Sequence, residues 1–82
     1  MNVLDAAEIL GKTPQFVRFG LRQKTLPIGV AVLMPGNRYS YHVSEDLLRQ
    51  YIGDKKVDDW HMKKIQYYYL EENHVHLHGK SQ

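Results

Sequence analysis

An α+β fold is predicted by three features of the 82-residue sequence. Two short helix signals follow one another across a glycine-containing turn, two β-prone runs flank Pro35-Gly36-Asn37-Arg38, and a serine-capped helix comes next. The expected architecture is a helix-turn-helix, a two-stranded hairpin and a third helix over residues 1–53, then a C-terminal extension over 54–82. That extension reads as a helix of about 59–72 and a histidine-rich tail.

The first helix is read from about Leu4 to Leu10. Asn2 is an N-cap with an acid, Asp5, three residues on, in the manner of a capping box. Ala6, Ile9 and Leu10, with Val3 ahead of them, form an apolar stripe at helical spacing, and Gly11 supplies a left-handed C-cap. Thr13-Pro14 starts the second helix, a capping hydroxyl before proline at the first helical position. That helix runs to about Gln23, with Val17 and Leu21 on one face and Gln15, Arg18, Phe19, Arg22 and Gln23 mostly on the other. Phe16 either joins the apolar face or sits at its edge. Gly20 costs about 1 kcal/mol against alanine inside a helix, which implies close packing against a neighbour.

Leu26-Pro27 ends helical structure and leads into strands of about Val30 to Met34 and Tyr39 to Val43. Alternation puts Tyr39, Tyr41 and Val43 on one face, expected to pack on the helices, and Arg38, Ser40 and His42 on the other. Ser44 caps a helix of about Glu45 to Ile52, with Leu47, Leu48, Tyr51 and Ile52 expected inward and Gly53 ending it. Asp54 to Lys56 reads as a linker, and Asp58 or Asp59 as the cap of a fourth helix with Met62, Ile65 and Tyr69 near one stripe. Trp60 would lie beside that stripe. The β-prone Tyr67 to Tyr69 and the alternating "HVHLH" leave a C-terminal hairpin open as a rival.

Composition narrows the function. The apolar fraction of 43% favours a globular chain, and the absence of cysteine removes disulfides and thiolate metal sites. Asp5 and Glu8 stand where a secretory signal would be basic and then apolar, and no apolar run approaches the roughly 18 residues of a membrane span. A soluble, cytoplasmic protein with no membrane partner is expected. Charge is unevenly placed: Lys12, Arg18, Arg22, Lys24 and Arg38 fall between Ile9 and Ser44, where there is no Asp or Glu. A basic segment inside a near-neutral chain suggests one face made for a polyanion.

Helix, turn, helix and hairpin inside that segment form a winged helix-turn-helix order. Its second helix is expected to enter the major groove of double-stranded DNA, where Arg and Gln side chains read base edges. The hairpin tip is expected to place Arg38 in or along the minor groove. Thr13 and the N–H groups that begin the second helix suit a phosphate. The expected DNA-contacting set is Lys12, Thr13, Gln15, Arg18, Phe19, Arg22, Lys24, Asn37 and Arg38, with Phe19 open between packing and base contact.

These residues also carry a family resemblance. "LDAAEILGKTPQFVRFGLRQKTLP" resembles the opening of MerR-like winged-helix modules of phage and mobile-element DNA-binding proteins. "FVRFGLRQKTLP…PGNRYSYHVS" is similar to excisionases of the lambda type: a Val-Arg helix, a Leu-Pro exit, a Gly-polar-polar-aromatic hairpin, and His then Ser before the next element. The resemblance covers roughly residues 3 to 53. It implies a non-enzymatic architectural factor of a phage or integrative element, working in the bacterial cytoplasm. Such a factor binds near an attachment sequence, often cooperatively as several copies, bends DNA and biases an integrase toward excision. The family pattern assigns major-groove contacts to Gln15, Arg18 and Arg22, and wing contacts to Asn37 and Arg38. Gly20, Phe16 and Phe19 depart from a generic recognition helix, so no base preference is carried over. Related modules act as repressors or as conjugation (relaxosome) accessory proteins.

Other classes have less to build on. His74, His76 and His78 would share one face of a strand at metal-ligand spacing, with His61 and Glu71 or Glu72 as further ligands, but no second anchored cluster accompanies them. No cofactor is expected. No Ser/His/Asp set, phosphate loop or nucleophilic cysteine points to catalysis. A protein-interaction module remains the rival from another class. Trp60 and Tyr67 to Tyr69 either dock on the domain or meet another copy or an integrase.

Overall fold

The structure is a computed structural model that describes residues 1–66. Its elements are α1 (Val3–Leu10), α2 (Pro14–Gln23), β1 (Gly29–Met34), β2 (Arg38–Val43) and α3 (Glu45–Ile52). A fourth helix, α4, runs from 54 to 66. Among the described residues the fold is therefore α+β, four helices and one antiparallel hairpin.

Side chains named by the sequence start three of the helices. Asn2 Oδ1 accepts the Asp5 N–H at 2.8 Å, Thr13 Oγ1 accepts that of Phe16 at 3.1 Å, and Ser44 Oγ accepts that of Leu47 at 3.2 Å. Each bond satisfies a backbone donor that the helix itself cannot, worth typically about 1 kcal/mol. Gly11 takes the left-handed conformation expected of it, while α2 ends instead on Lys24 with φ 61°.

The end of α2 sets the course of everything after it. The Gly20 carbonyl accepts N–H bonds from Thr25 at 3.0 Å and Leu26 at 3.3 Å, folding the chain back against the helix. A Cβ on Gly20 would stand 2.8 Å from the Leu26 Cβ, so the lack of a side chain is what admits Leu26. Leu26 and Ile28 are thereby buried, and Ile28's carbonyl accepts the Ser44 N–H at 2.8 Å, closing the base of the hairpin. At Gly29 a Cβ would collide with the His42 carbonyl.

The hairpin register pairs Gly29 with Val43, Ala31 with Tyr41, Leu33 with Tyr39 and Met34 with Arg38. The loop is thus Pro35-Gly36-Asn37, with Gly36 and Asn37 both at positive φ, and Arg38 opens β2. Ala31, Tyr41 and Val43 lie against a core made of Val3, Ala6, Ala7, Ile9, Val17, Leu21, Leu26, Ile28, Leu48 and Val57. Each large aliphatic side chain removed from water there contributes about 1.5–3 kcal/mol.

Several expectations are corrected. Residues 54–56 are helical rather than a linker, because α4 starts directly after Gly53, whose φ of 102° turns the chain out of α3. Asp58 and Asp59 are accordingly interior helix residues, not caps, and they ion-pair with Arg49 at 2.9 Å and Lys55 at 3.1 Å. Starting at 54 sets the inward stripe at Val57 and Trp60, which leaves Met62 and Ile65 exposed. Val57 is fully buried, so the core continues past the expected boundary at residue 53. In α3 only Leu48 is buried, with Ile52 at the core margin; Leu47 and Tyr51 face out because the short helix touches the core along a narrow strip. Tyr39 is half-exposed beyond the edge of the core. The remainder of the expected fourth helix, the rival C-terminal hairpin, Tyr67 to Tyr69 and the histidine tail lie outside the described residues. No helix among the described residues is long and apolar enough to cross a membrane.

Two polar clusters hold α4. Arg49 donates to Glu45 at 3.0 Å, one turn earlier in α3, and reaches Asp54 at 3.3 Å and Asp58 at 2.9 Å in α4. Exposed ion pairs are individually weak, but three carboxylates around one planar guanidinium fix its orientation and bridge the two helices. Trp60 Nε1–H donates to Glu8 Oε1 at 3.0 Å, tying α4 to α1, and Lys64 Nζ lies 3.4 Å from the same oxygen. The bond from Trp60 holds the Glu8 carboxyl below its usual range, and the bonds from Arg49 do the same for Glu45.

A carboxyl whose value is lowered by folding contributes stability above its unfolded value near 4.5, and that stability is lost as pH falls through the lower folded value. Trp60 is the only tryptophan in the chain, so its fluorescence reports the docking of α4. Between about pH 5 and pH 3 the emission of the parent protein is expected to shift to the red, with a smaller shift in Glu8→Ala. A pH-independent emission in the parent would contradict the role given to this contact.

Candidate nucleic-acid interface

The outward face of α2 is built by subtraction. Val17, Gly20 and Leu21 are buried, so the opposite side of the helix carries Gln15, Phe19 and Arg22 at positions i, i+4 and i+7. Arg18 flanks this line and is half-buried, and Phe16 flanks it on the other side. Phe16 therefore sits at the edge of the apolar face, not within it. Lys12, in the turn before α2, places its ammonium 5.4 Å from the centre of the Phe16 ring. Thr13 spends a lone pair on capping α2 and keeps its hydroxyl hydrogen for an external acceptor.

The hairpin is coupled to this face through one contact. The Arg22 guanidinium lies over the Tyr39 ring, 5.2 Å from its centre, and Tyr39 stacks on Tyr41 with ring centres 6.2 Å apart. Tyr41 in turn packs on the core. A cation over an exposed ring is worth about 0.5–1 kcal/mol and an aromatic pair about 0.5–1.5 kcal/mol. Together they connect a basic residue of α2 to the buried base of the hairpin.

The expected residues are not all on one patch. Gln15, Phe19 and Arg22 share a face, and Arg18, Lys12 and Thr13 border it. Asn37 and Arg38 stand at the far end of the hairpin. Register places Arg38 with Ser40 and His42 on the ribbon face opposite Tyr39, alongside the exposed Val30, Val32 and Met34. Ser40 Oγ lies 3.2 Å from His42 Nε2 on that face. Lys24 lines a cleft with Leu26, Pro27, Gly29 and Val30 at the root of the hairpin, separate from the line of Gln15, Phe19 and Arg22. Alternation puts Tyr39 on the core-facing side but does not show that its ring carries Arg22. Only the packing of two distant segments reveals that, whereas the four-residue spacing of Lys12 and Phe16 was visible.

Electrostatically the molecule is divided. Among the described residues every carboxylate ion pair lies within or between α1, α3 and α4: Arg49 with Glu45, Asp54 and Asp58, Lys55 with Asp59, His61 with Glu45, and Lys64 with Glu8. None of Lys12, Arg18, Arg22, Lys24 or Arg38 pairs with a carboxylate there. A surface of this kind concentrates positive potential and attracts anions. A cleft lined by Glu8, Trp60, Lys63 and Lys64 and another lined by Pro27, Leu47, Gln50 and Tyr51 lie away from it.

Among the described residues no three His, Asp or Glu side chains converge as a metal site would require, and His61 lies 3.2 Å from Glu45. His74, His76 and His78 lie outside the described residues. Comparisons of the chain with protein-family models, with curated proteins and with solved structures find no match.

The coupling of α2 to the hairpin is measurable in the protein alone. A double-mutant cycle of Arg22→Ala and Tyr39→Ala, followed by urea unfolding, is expected to return a favourable interaction of about 0.5–1 kcal/mol. Strictly additive effects would show that the contact does not form.

Proposed function

We propose that this chain is a sequence-specific, non-catalytic DNA-binding protein of winged helix-turn-helix layout. In this reading α2 enters the major groove and the β1–β2 hairpin acts as a wing along the neighbouring minor groove. The observation that carries it is the set of five cations on α2, its flanking turns and the hairpin, none paired with a carboxylate among the described residues. Gln15 and Arg18 would address base edges, Lys12, Thr13 and Lys24 phosphates, and Asn37 and Arg38 the wing-side backbone and minor groove. Arg22, stacked on Tyr39, would sit where helix and wing meet. The resemblance to lambda-type excisionases supports a more specific role: directing an integrase of a phage or integrative element toward excision, in the cytoplasm of a bacterial host. Several copies beside an attachment sequence would fit that role.

Binding to genomic fragments at moderate salt tests the general claim. One fragment class should be preferred, with affinity falling steeply as salt rises because phosphate neutralisation releases counterions. Arg18→Ala should reduce discrimination between preferred and random fragments by about 1–3 kcal/mol, the worth of one good base contact. Arg38→Ala should weaken binding to all of them more evenly. Absence of any preferred fragment would sink the DNA-binding reading in favour of a protein-interaction module. For the narrower role, the protein should stimulate excision by the integrase of its own element, and no stimulation would remove that role while leaving DNA binding intact.

A further inference from the structure

Among the described residues the two phenylalanines of α2 do not join the core. Phe19 is 56% exposed and Phe16 47% exposed, on a helix whose core contacts are made by Val17, Gly20 and Leu21 alone. Phe19 sits in the middle of the outward line, between Gln15 and Arg22, and Phe16 lies beside it with Lys12 over its ring. A phenyl ring has no donor or acceptor, so it cannot take part in the hydrogen-bond readout of a base edge. In the major groove its apolar counterpart is the C5-methyl group of thymine.

We infer that Phe19, with Phe16 at its side, reads thymine by contact with its methyl group. The preferred sites then contain A·T pairs under the middle of α2. This rests on the DNA-binding reading above and names the class of base it recognises. Spacing supports it: Gln15 and Phe19 are about 6 Å apart along the helix axis, close to two base-pair steps of about 3.4 Å. The amide of Gln15 can donate to and accept from the acceptor and donor that adenine presents in the same groove, so Gln15 and Phe19 suit A·T pairs about two steps apart. Charge argues for DNA as the occupant over a second copy. Two copies joined through this face would bring Lys12, Arg18 and Arg22 against their own equivalents, with no carboxylate of the described residues paired with them to offset the repulsion.

The test uses a duplex selected by the full-length protein from a random-sequence pool, remade with each thymine replaced singly by deoxyuridine. Only a methyl group is lost at each position. At one or two positions the replacement should weaken binding of the parent protein by about three- to five-fold, the worth of one buried methyl. Phe19→Ala and Phe19→Ser should bind the thymine and uracil duplexes alike, while Arg38→Ala should bind both less tightly and keep their ratio. No position distinguishing thymine from uracil would overturn the inference while leaving DNA binding standing, and so would a Phe19→Ala variant that keeps the ratio. A pool that yields no preferred duplex would overturn the DNA-binding reading and this inference with it. If Phe19→Ala instead abolishes self-association in sedimentation and leaves the thymine preference unchanged, the ring is a protein contact and the inference falls.

Discussion

The close approach of Leu26 to Gly20 is the constraint on which the rest of the structure depends. A bare α-carbon in the last turn of α2 lets the chain reverse tightly, with two N–H groups on the Gly20 carbonyl, and drop Leu26 and Ile28 beneath the helix. Ile28 is where helical core and hairpin base meet, through its burial and through the bond it accepts from Ser44. The direction in which β1 leaves that point brings Tyr39 under Arg22. A larger residue at position 20 would gain helix propensity of about 1 kcal/mol. It would also force Leu26 outward, and overpacking of this kind typically costs about 1–3 kcal/mol. Gly20 is thus a local weakness of α2 that the tertiary structure requires.

A second organising feature is the segregation of charge. The carboxylates are used to assemble α1, α3 and α4: Arg49 gathers three of them across the α3–α4 turn, and Glu8 receives both Trp60 and Lys64. That leaves α2 and the hairpin without counter-charges of their own among the described residues. The proposed DNA-facing role makes use of the same division, since the half of the molecule that holds itself together by ion pairs is not the half with unneutralised cations.

Much of the architecture was legible because it is written locally. Asn2, Thr13 and Ser44 are short-range caps, Gly11 is a left-handed stop, and the alternation of Tyr39, Tyr41 and Val43 fixes which face of the hairpin turns inward. The close neighbour implied by Gly20 is Leu26. What was not legible depends on partners far away in sequence. The start of α4 at residue 54 is hidden in a charged run whose carboxylates make sense only once Arg49 is in place, and only Val57 and Trp60 mark its inward side. Leu47 and Tyr51 look like core residues by helical spacing, yet the contact strip of α3 is too narrow to reach them. At the candidate site, the outward line of Gln15, Phe19 and Arg22 follows from periodicity, whereas the seat of Arg22 on Tyr39 belongs to the packing of two separate elements.

In the proposed reading, the outward line of α2 and the tip of the hairpin contact DNA from a scaffold held by α1, α3 and α4. The most direct measurement is the change in backbone amide NMR shifts when a preferred duplex is titrated into isotopically labelled protein. Saturable changes are expected to concentrate at residues 12–24 and 36–41. Much smaller changes should appear along α3 and α4. Changes centred on α3 or α4, or none that saturate, would contradict that reading.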